Sequence, residues 1–401
     1  MHSYRKLTDD LYWVGGNDRR LALFENIFPL PRGVSYNAYF VDDEKTLVMD
    51  TVDRAVAEDY FQSLNTLLRG RPLDYVVVHH MEPDHAATLS DLLQRWPAVK
   101  IICTARAEQM IGQFFDFDTA GRVQVVGEGD TLETGRHRFH FYMAPMVHWP
   151  EVMVSYDTTD GTLFSADAFG SFGALGGSIF AEELPFETEW LPDARRYYTN
   201  IVGKYGRQVQ ALLKKTAELD IRLLCPLHGP VWRENLGWYV DKYRHWAAWE
   251  PEERAVLVAY GSAYGHTANA AALVAARLVE RGVKNVAVYD VSGTHPSVLV
   301  AEAFRCSHLV LAAPTYNADI YPPMATVLHE WAAHGLRGRT VALIENGSWA
   351  PAAAKHMRAQ LDAMPDMTVL CDAVTLLSAV KEDTHAALLA LADSLASDLC
   401  S

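Results

Sequence analysis

Cysteine is scarce in this chain, with five residues among 401 and no Cys-x-x-Cys pair. The spacing excludes a rubredoxin-type or zinc-ribbon module within this sequence, because both hold their metal with paired thiolates. Scattered, unpaired cysteines suit a reducing compartment, so we expect a cytoplasmic protein. The five are Cys103, Cys225, Cys306, Cys371 and Cys400.

The chain also lacks long apolar runs and has fewer positively than negatively charged residues. No stretch reaches membrane-spanning length, and residues 1–6 lack the apolar region of a signal peptide, so we expect neither a membrane span nor secretion. The 35 Lys and Arg residues against 50 Asp and Glu residues leave a net charge of −15. An acidic chain repels nucleic-acid phosphates, so we expect small soluble partners and no nucleic acid. Hydrophobic residues, at 50% of the chain, suffice for two ordinary cores.

The most informative stretch is His80-Met81-Glu82-Pro83-Asp84-His85, which holds four potential metal ligands within six residues. It directly follows the apolar run at residues 75–78, which predicts a buried strand. The ligands therefore lie where a strand ends and its loop begins, a common location for chemistry on layered α/β scaffolds. Pro83 fixes its own φ and stiffens the turn. The pattern predicts a site for two metals.

The ligand types narrow the choice of metal. Two imidazoles, one Glu and one Asp without a thiolate suit iron, manganese or zinc. The pattern resembles the metal-binding loop of the metallo-β-lactamase fold, His-x-His-x-Asp-His, with Glu82 in place of the second His. An anionic oxygen stabilises a higher metal charge, so Glu82 favours iron and redox chemistry over hydrolysis.

The lactamase-like fold gathers its ligands from several loops, and further candidates follow in the matching order. His148, Asp167 and His228 come after predicted strands at residues 139–142, 162–166 and 221–224, respectively. The resemblance assigns His80, Glu82, His148 and Asp167 to one metal. It assigns Asp84, His85, Asp167 and His228 to the other, with Asp167 shared. His79 should point to the opposite face of its strand from His80, and we interpret it as structural.

A second motif begins after residue 254. A predicted strand at 255–260 is followed by small and hydroxyl-bearing residues and then by a predicted helix over 270–281. Backbone amides and the helix dipole at such a junction face a phosphate, and no Lys follows, which disfavours a nucleoside triphosphate loop. The candidate phosphate-binding residues are Ser262, Ala263, Tyr264, Gly265, His266 and Thr267, with Asn269 as an additional hydrogen-bond donor.

Further apolar runs at 286–289, 309–312, 341–344 and 367–370 alternate with helical segments. Five strands in about 150 residues predict a doubly wound parallel sheet of the flavodoxin type. Two loops beyond strand ends suit a flat ring, and Tyr316 and Trp349 could flank an isoalloxazine. The candidate ring-binding residues are Pro314, Thr315, Tyr316 and Asn317, and Asn346, Gly347, Ser348 and Trp349. This half resembles an FMN-binding flavodoxin.

Taken together, the two halves resemble the flavodiiron proteins (A-type flavoproteins) over nearly the whole chain. The resemblance includes residues 33–39, His148-Trp149-Pro150-Glu151 and Tyr264-Gly265-His266-Thr267. It implies an α/β and α+β two-domain protein: a metallo-β-lactamase-like αββα sandwich at 1–250 and a flavodoxin-like doubly wound sheet at 254–401. Two positions depart from the family pattern. Asn346-Gly347-Ser348-Trp349 replaces a Gly-Trp order, and Glu25 stands where many members carry a His.

The resemblance also implies an activity. FMN and a diiron centre would together store four electrons, enough to reduce dioxygen to water, and the diiron site could reduce nitric oxide to nitrous oxide. The expected partners are reduced rubredoxin or another soluble donor (a deazaflavin in some relatives) and a second copy, in a head-to-tail homodimer or a dimer of dimers. The residues do not separate oxygen from nitric oxide as substrate.

Two alternatives stay open from the sequence. A lactamase-fold zinc hydrolase with a redox-regulatory flavodoxin domain is disfavoured by Glu82. An electron-transfer module whose metal half has lost function is disfavoured because every ligand position is filled.

Overall fold

The computed structural model describes residues 4–400. The chain divides into two compact units, the first ending at Arg244 and the second starting at His245. Among the described residues, no helix combines the length and apolarity that a membrane crossing requires. All five cysteines lie in the described part and are unpaired.

The first unit contains two larger sheets and two small hairpin-like pairs. Its strands are β1 (Arg5–Lys6), β2 (Leu11–Trp13), β3 (Gly16–Asp18), β4 (Leu23–Phe24), β5 (Phe28–Pro29), β6 (Val34–Tyr36), β7 (Tyr39–Val41), β8 (Leu47–Met49), β9 (Tyr75–Val77), β10 (Lys100–Cys103), β11 (Val123–Val125), β12 (Thr131–Glu133), β13 (Arg138–Met143), β14 (Met153–Asp157), β15 (Thr162–Phe164) and β16 (Leu223–Cys225). Its helices are α1 (Ala57–Leu68), α2 (Pro83–Ala86), α3 (Leu89–Arg95), α4 (Ala105–Phe114), α5 (Leu191–Tyr197) and α6 (Gly206–Thr216), and α7 (Leu236–Ala247) follows.

One sheet has the order β1-β2-β7-β8-β9-β10-β11 and the other runs β12-β13-β14-β15-β16. After their first residues, the parallel strands β9 and β10 are apolar because both of their faces are covered, as Val76 and Ile101 show with no exposed surface. The two sheets pack on each other: the rings of Tyr39 in β7 and Phe164 in β15 meet edge to face at 5.5 Å. This contact lies between the facing sides of the two sheets, in the interior of the sandwich.

The second unit is a parallel sheet with the order β18-β17-β19-β21-β22. Its strands are β17 (Glu253–Tyr260), β18 (Val286–Asp290), β19 (Cys306–Tyr316), β20 (Asp319–Ile320), β21 (Thr340–Asn346), β22 (Thr368–Val369) and β23 (Val374–Leu376). Its helices are α8 (His266–Glu280), α9 (Pro296–Arg305), α10 (Pro322–Ala333), α11 (Ala353–Asp362) and α12 (Glu382–Cys400). In this order the first strand of the unit, β17, lies between β18 and β19, as in a doubly wound flavodoxin-type sheet. The predicted fold class is therefore confirmed.

The second unit has two hydrophobic cores, one on each face of its sheet, because the side chains of a strand alternate between the faces. Val256 and Val258 pack with Val274 of α8 on one face, whereas Leu257 packs with Leu299 of α9 on the other. Successive side chains of a strand point to opposite faces, so both faces of this apolar strand are buried under helices.

Several predicted boundaries were wrong. The strand predicted at 162–166 ends at Phe164, and the one predicted at 221–224 is displaced to Leu223–Cys225. The helix predicted from residue 270 begins at His266, because its first turn carries polar residues that break the apolar pattern. The fifth strand predicted at 367–370 is reduced to β22, and β23 pairs with β21 further along.

Candidate metal centre and flavin site

The four ligand candidates of the 80–85 loop follow β9, as predicted. Glu82 directly precedes the short helix α2, in which Pro83 takes the first position and carries Asp84 and His85 in the first turn. Proline is favoured at that position because its fixed φ suits a helix start. Asp167 follows β15, His228 follows β16, and His148 lies in the connection between β13 and β14.

The structure brings these seven residues together in two groups of buried donors. In the first group, Nε2 of His148 lies 3.0 Å from Oε2 of Glu82, and Nε2 of His80 lies 3.2 Å from the same oxygen. Both imidazole nitrogens also lie 3.3 Å from Oδ2 of Asp167. Four donors from three segments of the chain thus converge on one point.

The second group is built in the same way. Nε2 of His85 and Nε2 of His228 face each other at 3.0 Å, and each lies 3.2 Å from Oδ2 of Asp84. Oδ1 of Asp167 lies 3.3 Å from His85 and 3.7 Å from His228. The two oxygens of Asp167 are therefore divided between the groups, which is the arrangement expected of a bridging carboxylate.

The donor set fits two metal ions. A metal bonded at about 2.1 Å places neighbouring ligand atoms about 3.0–3.4 Å apart. The donor distances of the first group, 3.0–3.3 Å, lie in this range, and in the second group only the 3.7 Å between Asp167 and His228 exceeds it. Both oxygens of Asp84 and Oδ1 of Asp167 are buried and have no hydrogen-bond partner among the described residues. Buried, unpaired carboxylate oxygens are costly, so a cation between them would stabilise the fold.

The pKa values of the donor residues also fit a site that binds cations. Burial raises the pKa of Glu82 and of Asp167, but their bonds and charge interactions with the imidazoles outweigh burial and hold both pKa values well below the usual range. Burial lowers the pKa of His85 and of His148, yet the carboxylates raise each to about 9. The metal-free site therefore holds positive charge as protons, which bound metal ions would displace.

Glu151 orients the imidazole of His80. Oε1 of Glu151 lies 2.7 Å from Nδ1 of His80 and accepts the backbone N–H of Met81 at 2.8 Å. With Nδ1 engaged, the lone pair of Nε2 faces the donor group. Glu151 lies three residues after His148, a spacing that could have indicated a supporting role.

His228 is held by the segment around β6. Its Nδ1–H donates to the backbone carbonyl of Ser35 at 2.7 Å. The side-chain amide of Asn37 donates to the carbonyls of Pro226 and Gly229 at 2.8 and 2.9 Å, clamping the loop on both sides of His228. These contacts span the chain and carry no local sequence signal.

His79 belongs to neither group, in line with its structural interpretation. Its Nδ1 lies 2.5 Å from Oδ2 of Asp50, and its Nε2 lies 2.7 Å from Oγ of Ser155. Both ring nitrogens are thus engaged inside the sandwich, away from the metal groups.

Aromatic side chains surround His228. Phe24 meets its ring edge to face at 5.4 Å, Tyr36 at 5.8 Å, and Tyr197 lies tilted at 5.4 Å. The hydroxyl of Tyr197 is fully buried and has no hydrogen-bond partner among the described residues. Burial and then the charge of Asp167 raise the pKa of this phenol well above its usual value. The group is a neutral donor beside the centre, and the sequence did not reveal it.

Glu25 lies at the edge of the first group. The residue as a whole is exposed, and its carboxyl group is near enough to that of Glu82 for the two to affect each other's charge. Partial burial and then the contact with Glu82 raise its pKa to about 8.

The predicted phosphate turn lies between β17 and α8. Gly265 has φ +91° and nothing near the position a Cβ would take, and its N–H donates to Oγ of Ser262 at 3.0 Å. Residues 263–266 are exposed, whereas Thr267 is buried. The first amides of α8 have no partner within the helix, so this open turn fits a phosphate group.

The predicted ring-binding residues lie at the ends of β19 and β21, which are adjacent parallel strands. Tyr316 and Trp349 are 51% and 83% exposed and therefore available to a planar ligand, as is Tyr264 at 93%. Asn317 forms the turn between β19 and β20 with φ +50°. Gly347, Ser348 and Trp349 lie in the loop after β21.

Two details of this prediction were wrong. Pro314, Thr315 and Tyr316 belong to β19 and not to a loop, because the strand continues into antiparallel pairing with β20, and Asn346 is the last residue of β21. Oγ1 of Thr315 accepts the N–H of Ala352, at the start of α11. The amide of Asn346 bonds Ser378, so both side chains have structural partners already.

Comparison with known proteins places this geometry in context. Residues 34–229 match the family model described as ODP family beta lactamase. An uncharacterised protein of Methanocaldococcus jannaschii is 30% identical over 325 residues, covering 80% of each chain. The anaerobic nitric oxide reductase flavorubredoxin of Klebsiella pneumoniae is 29% identical over 358 residues, 88% of this chain and 73% of that protein.

Solved structures agree along the whole chain. The rubredoxin:oxygen oxidoreductase of Desulfovibrio gigas superposes with a TM-score of 0.91 over 99% of both chains, at 27% identity. A flavodiiron protein of Giardia intestinalis gives a TM-score of 0.89 over 100% of this chain and 97% of that one, and at 21% identity this likeness concerns the fold.

Proposed function

Since this chain belongs to the flavodiiron protein family and is an oxidoreductase, we propose that it reduces dioxygen to water, nitric oxide to nitrous oxide, or both. In this proposal, residues 1–250 form the diiron domain and residues 254–401 the FMN-binding domain. The observation that carries the proposal is the division of the two Asp167 oxygens between two complete groups of buried donors. The presence of Glu82 in the first group favours iron over zinc.

The residues of the centre have distinct tasks. His80, Glu82, His148 and Asp167 would hold one iron, and Asp84, His85, Asp167 and His228 the other. When bound, the diiron centre and FMN would supply the electrons, two from each. Glu151 and the carbonyl of Ser35 keep the imidazoles of His80 and His228 in the orientation that ligation requires.

The surroundings of the centre suit a small neutral gas. The rings of Phe24, Tyr36 and Tyr197 form an apolar wall beside His228, which excludes bulk water from that side. Tyr197 keeps its proton because its pKa is raised, so its buried hydroxyl can donate a hydrogen bond to oxygen-bearing species.

We propose the exposed turn and aromatic residues of the second unit as the FMN site. The phosphate would meet the amides of residues 263–267, and Tyr316 and Trp349 would contact the ring. Reduced rubredoxin or another soluble carrier would deliver electrons in the cytoplasm, where five unpaired cysteines are stable. The active form would be a head-to-tail homodimer or a dimer of dimers.

The test is metal and flavin analysis of anaerobically purified protein, followed by measurement of oxygen and nitric oxide consumption with reduced rubredoxin. We expect about two irons and one FMN per chain and turnover of at least one gas. Zinc in place of iron, without gas consumption, would reject the proposal in favour of a hydrolase.

A single-residue variant tests whether the two sites are separable. His85→Ala should abolish gas reduction and lower the iron content while FMN stays bound, because His85 belongs only to the metal centre. His385→Ala, which removes an exposed imidazole from α12, is the matched control and should change neither cofactor. Loss of FMN together with iron in His85→Ala would contradict separable sites.

A further inference from the structure

A row of aromatic rings leads from the metal centre towards the surface of the first unit. It starts at Phe169, two residues after the shared donor Asp167. The backbone N–H of Phe169 donates to the hydroxyl oxygen of Tyr243 at 2.6 Å, and the two rings lie 4.3 Å apart. Tyr243 has no exposed surface. A short stretch of backbone and one hydrogen bond therefore join the centre to a buried phenol.

The row continues outwards from Tyr243 through Tyr239, Trp232 and Trp238. The ring of Tyr239 lies 5.6 Å from that of Tyr243 and stacks on that of Trp232 at 4.2 Å, with an angle of 12° between the planes. The ring of Trp238 follows at 6.3 Å from that of Trp232. These separations are those of rings in contact, so an electron can pass from each ring to the next without crossing a wide gap.

The outer end of the row opens into a cavity of about 600 Å³. Trp238 is half-buried and lines this cavity together with Trp232 and Phe186. Tyr239 at the inner side of the row has no exposed surface, and Trp232 is only 3% exposed. Water and small solutes therefore have access to the row at Trp238 and not at its inner members.

The two indoles differ in what can accept their protons. Nε1 of Trp232 is buried and has no hydrogen-bond partner among the described residues. The indole N–H is a donor only, and it becomes strongly acidic when the ring loses an electron. Trp232 has no acceptor for this proton, so after losing an electron it keeps the proton and regains an electron from its neighbour Trp238. At Trp238 the cavity supplies water as the proton acceptor, and the oxidation ends there.

We propose that this row conducts electrons from Trp238 to the metal centre when reduced FMN is lacking, which protects the donor residues of the centre from oxidation. The inference rests on the proposed function, since dioxygen at the centre is the oxidant. Reduction of one dioxygen to two waters takes four electrons and four protons, of which the two ferrous ions supply two electrons. Trp238 supplies the other two, one at a time.

The fate of Trp238 balances these electrons. With water as the co-reactant, the indole gains one oxygen atom and releases two protons with its two electrons, which leaves a hydroxytryptophan. With a thiol in the cavity, the indole instead regains one electron and one proton after each loss, and two thiols end as one disulfide. A thiol should therefore keep Trp238 intact.

The experiment follows oxygen incorporation in protein loaded with iron and FMN. The protein is reduced anaerobically with half of the electrons that its cofactors can hold, and is then exposed to excess dioxygen in isotope-labelled water without thiol. Peptide mass spectrometry locates the labelled oxygen. We expect it at Trp238 and not at Trp96, a half-buried indole that packs on Phe61 away from the row.

Variants test the path and its protective role. Trp232→Phe keeps an aromatic ring that is much harder to oxidise, so labelling of Trp238 should fall to the level at Trp96 while iron content stays unchanged. Trp96→Phe is the matched control and should leave the labelling of Trp238 unchanged. Trp238→Phe removes the outermost electron source, so oxidation of the donor histidines should rise.

The contrary results are distinct. Equal labelling of Trp238 in Trp232→Phe and the wild type, or in metal-free and iron-loaded protein, would overturn the row as the electron path. Donor histidines that are no more oxidised in Trp238→Phe than in the wild type would overturn the protective role. A wild type that binds no iron or consumes no dioxygen would reject the proposed function itself, and this inference with it.

Discussion

Oε1 of Glu151 lies 2.7 Å from Nδ1 of His80, although the two residues are separated by 71 positions in the chain. The same oxygen accepts the backbone N–H of Met81. Glu151 therefore holds both the ring of His80 and the start of the loop that carries Glu82, Asp84 and His85. The buried carboxylate of Glu151 thus links the loop between β13 and β14 to the donor loop at residues 80–85.

Glu151→Gln should lower the iron affinity of the centre about 10- to 100-fold. The amide preserves the shape of the side chain but removes the negative charge that stabilises a proton on Nδ1 of His80. Competition with an iron chelator measures the affinity, and Glu218→Gln serves as the control for a lost surface charge. Wild-type affinity in Glu151→Gln would show that the contact does not support the metal.

Tyr197→Phe should reduce gas turnover about tenfold or more while leaving iron content unchanged. The hydroxyl that is removed has no partner among the described residues, so the free energy of unfolding should change little or rise slightly. Turnover, metal content and thermal unfolding are measured on the same preparation.

Tyr60→Phe is the control for this change. Its hydroxyl is also buried but donates to the backbone carbonyl of Asp50. Its loss should cost about 1 kcal/mol of stability without affecting turnover per bound iron. Equal turnover in Tyr197→Phe and the wild type would remove Tyr197 from the proton-donating role.

Gly265→Val should lower FMN content and leave iron in place. A β-branched residue is strained at φ +91°, and its side chain would project into the open turn before α8. Gly282→Val, at φ +89° just beyond the other end of α8, carries the same backbone penalty away from the turn. Flavin absorbance and iron analysis distinguish the two variants, and equal FMN loss in both would point to a general folding defect.

Asp43 provides a pH-dependent prediction away from the sites. Burial raises its pKa, but hydrogen bonds from the N–H groups of His137, Arg136 and Glu44 and from the Thr134 hydroxyl outweigh burial and hold it at about 2. The folded pKa is lower than the unfolded value, so the ionised carboxyl stabilises the fold above pH 4. That stabilisation is lost as the pH falls from about 4 to about 2.

Asp43→Asn should therefore unfold at a lower temperature than the wild type at pH 7. The difference should shrink between pH 4 and pH 2, where the wild-type carboxyl takes up its proton. Thermal unfolding across this range provides the measurement. A difference that stays constant with pH would indicate lost packing and not lost charge.

The sequence predicted best what depends on neighbouring residues. The strand before the 80–85 loop, the proline at the start of α2 and the two-sided apolar strands of the second unit are local patterns with direct physical causes. Boundaries failed where pairing with distant strands decided them. Pro314 to Tyr316 became strand because β20 pairs back onto β19, and the last strand was divided because β21 pairs with both β22 and β23.

By itself, the sequence determined which donor types exist, their order and their location at strand ends, because side-chain chemistry and hydrophobic period are properties of the chain. Tertiary structure alone decided which atoms meet. The carbonyl of Ser35 accepts a hydrogen bond from Nδ1–H of His228, 193 positions away, Tyr197 places a hydroxyl without a partner among the described residues beside the centre, and Asp167 divides its oxygens between two groups. Such contacts depend on the packing of two sheets and the path of their loops, so no local window of sequence contains them.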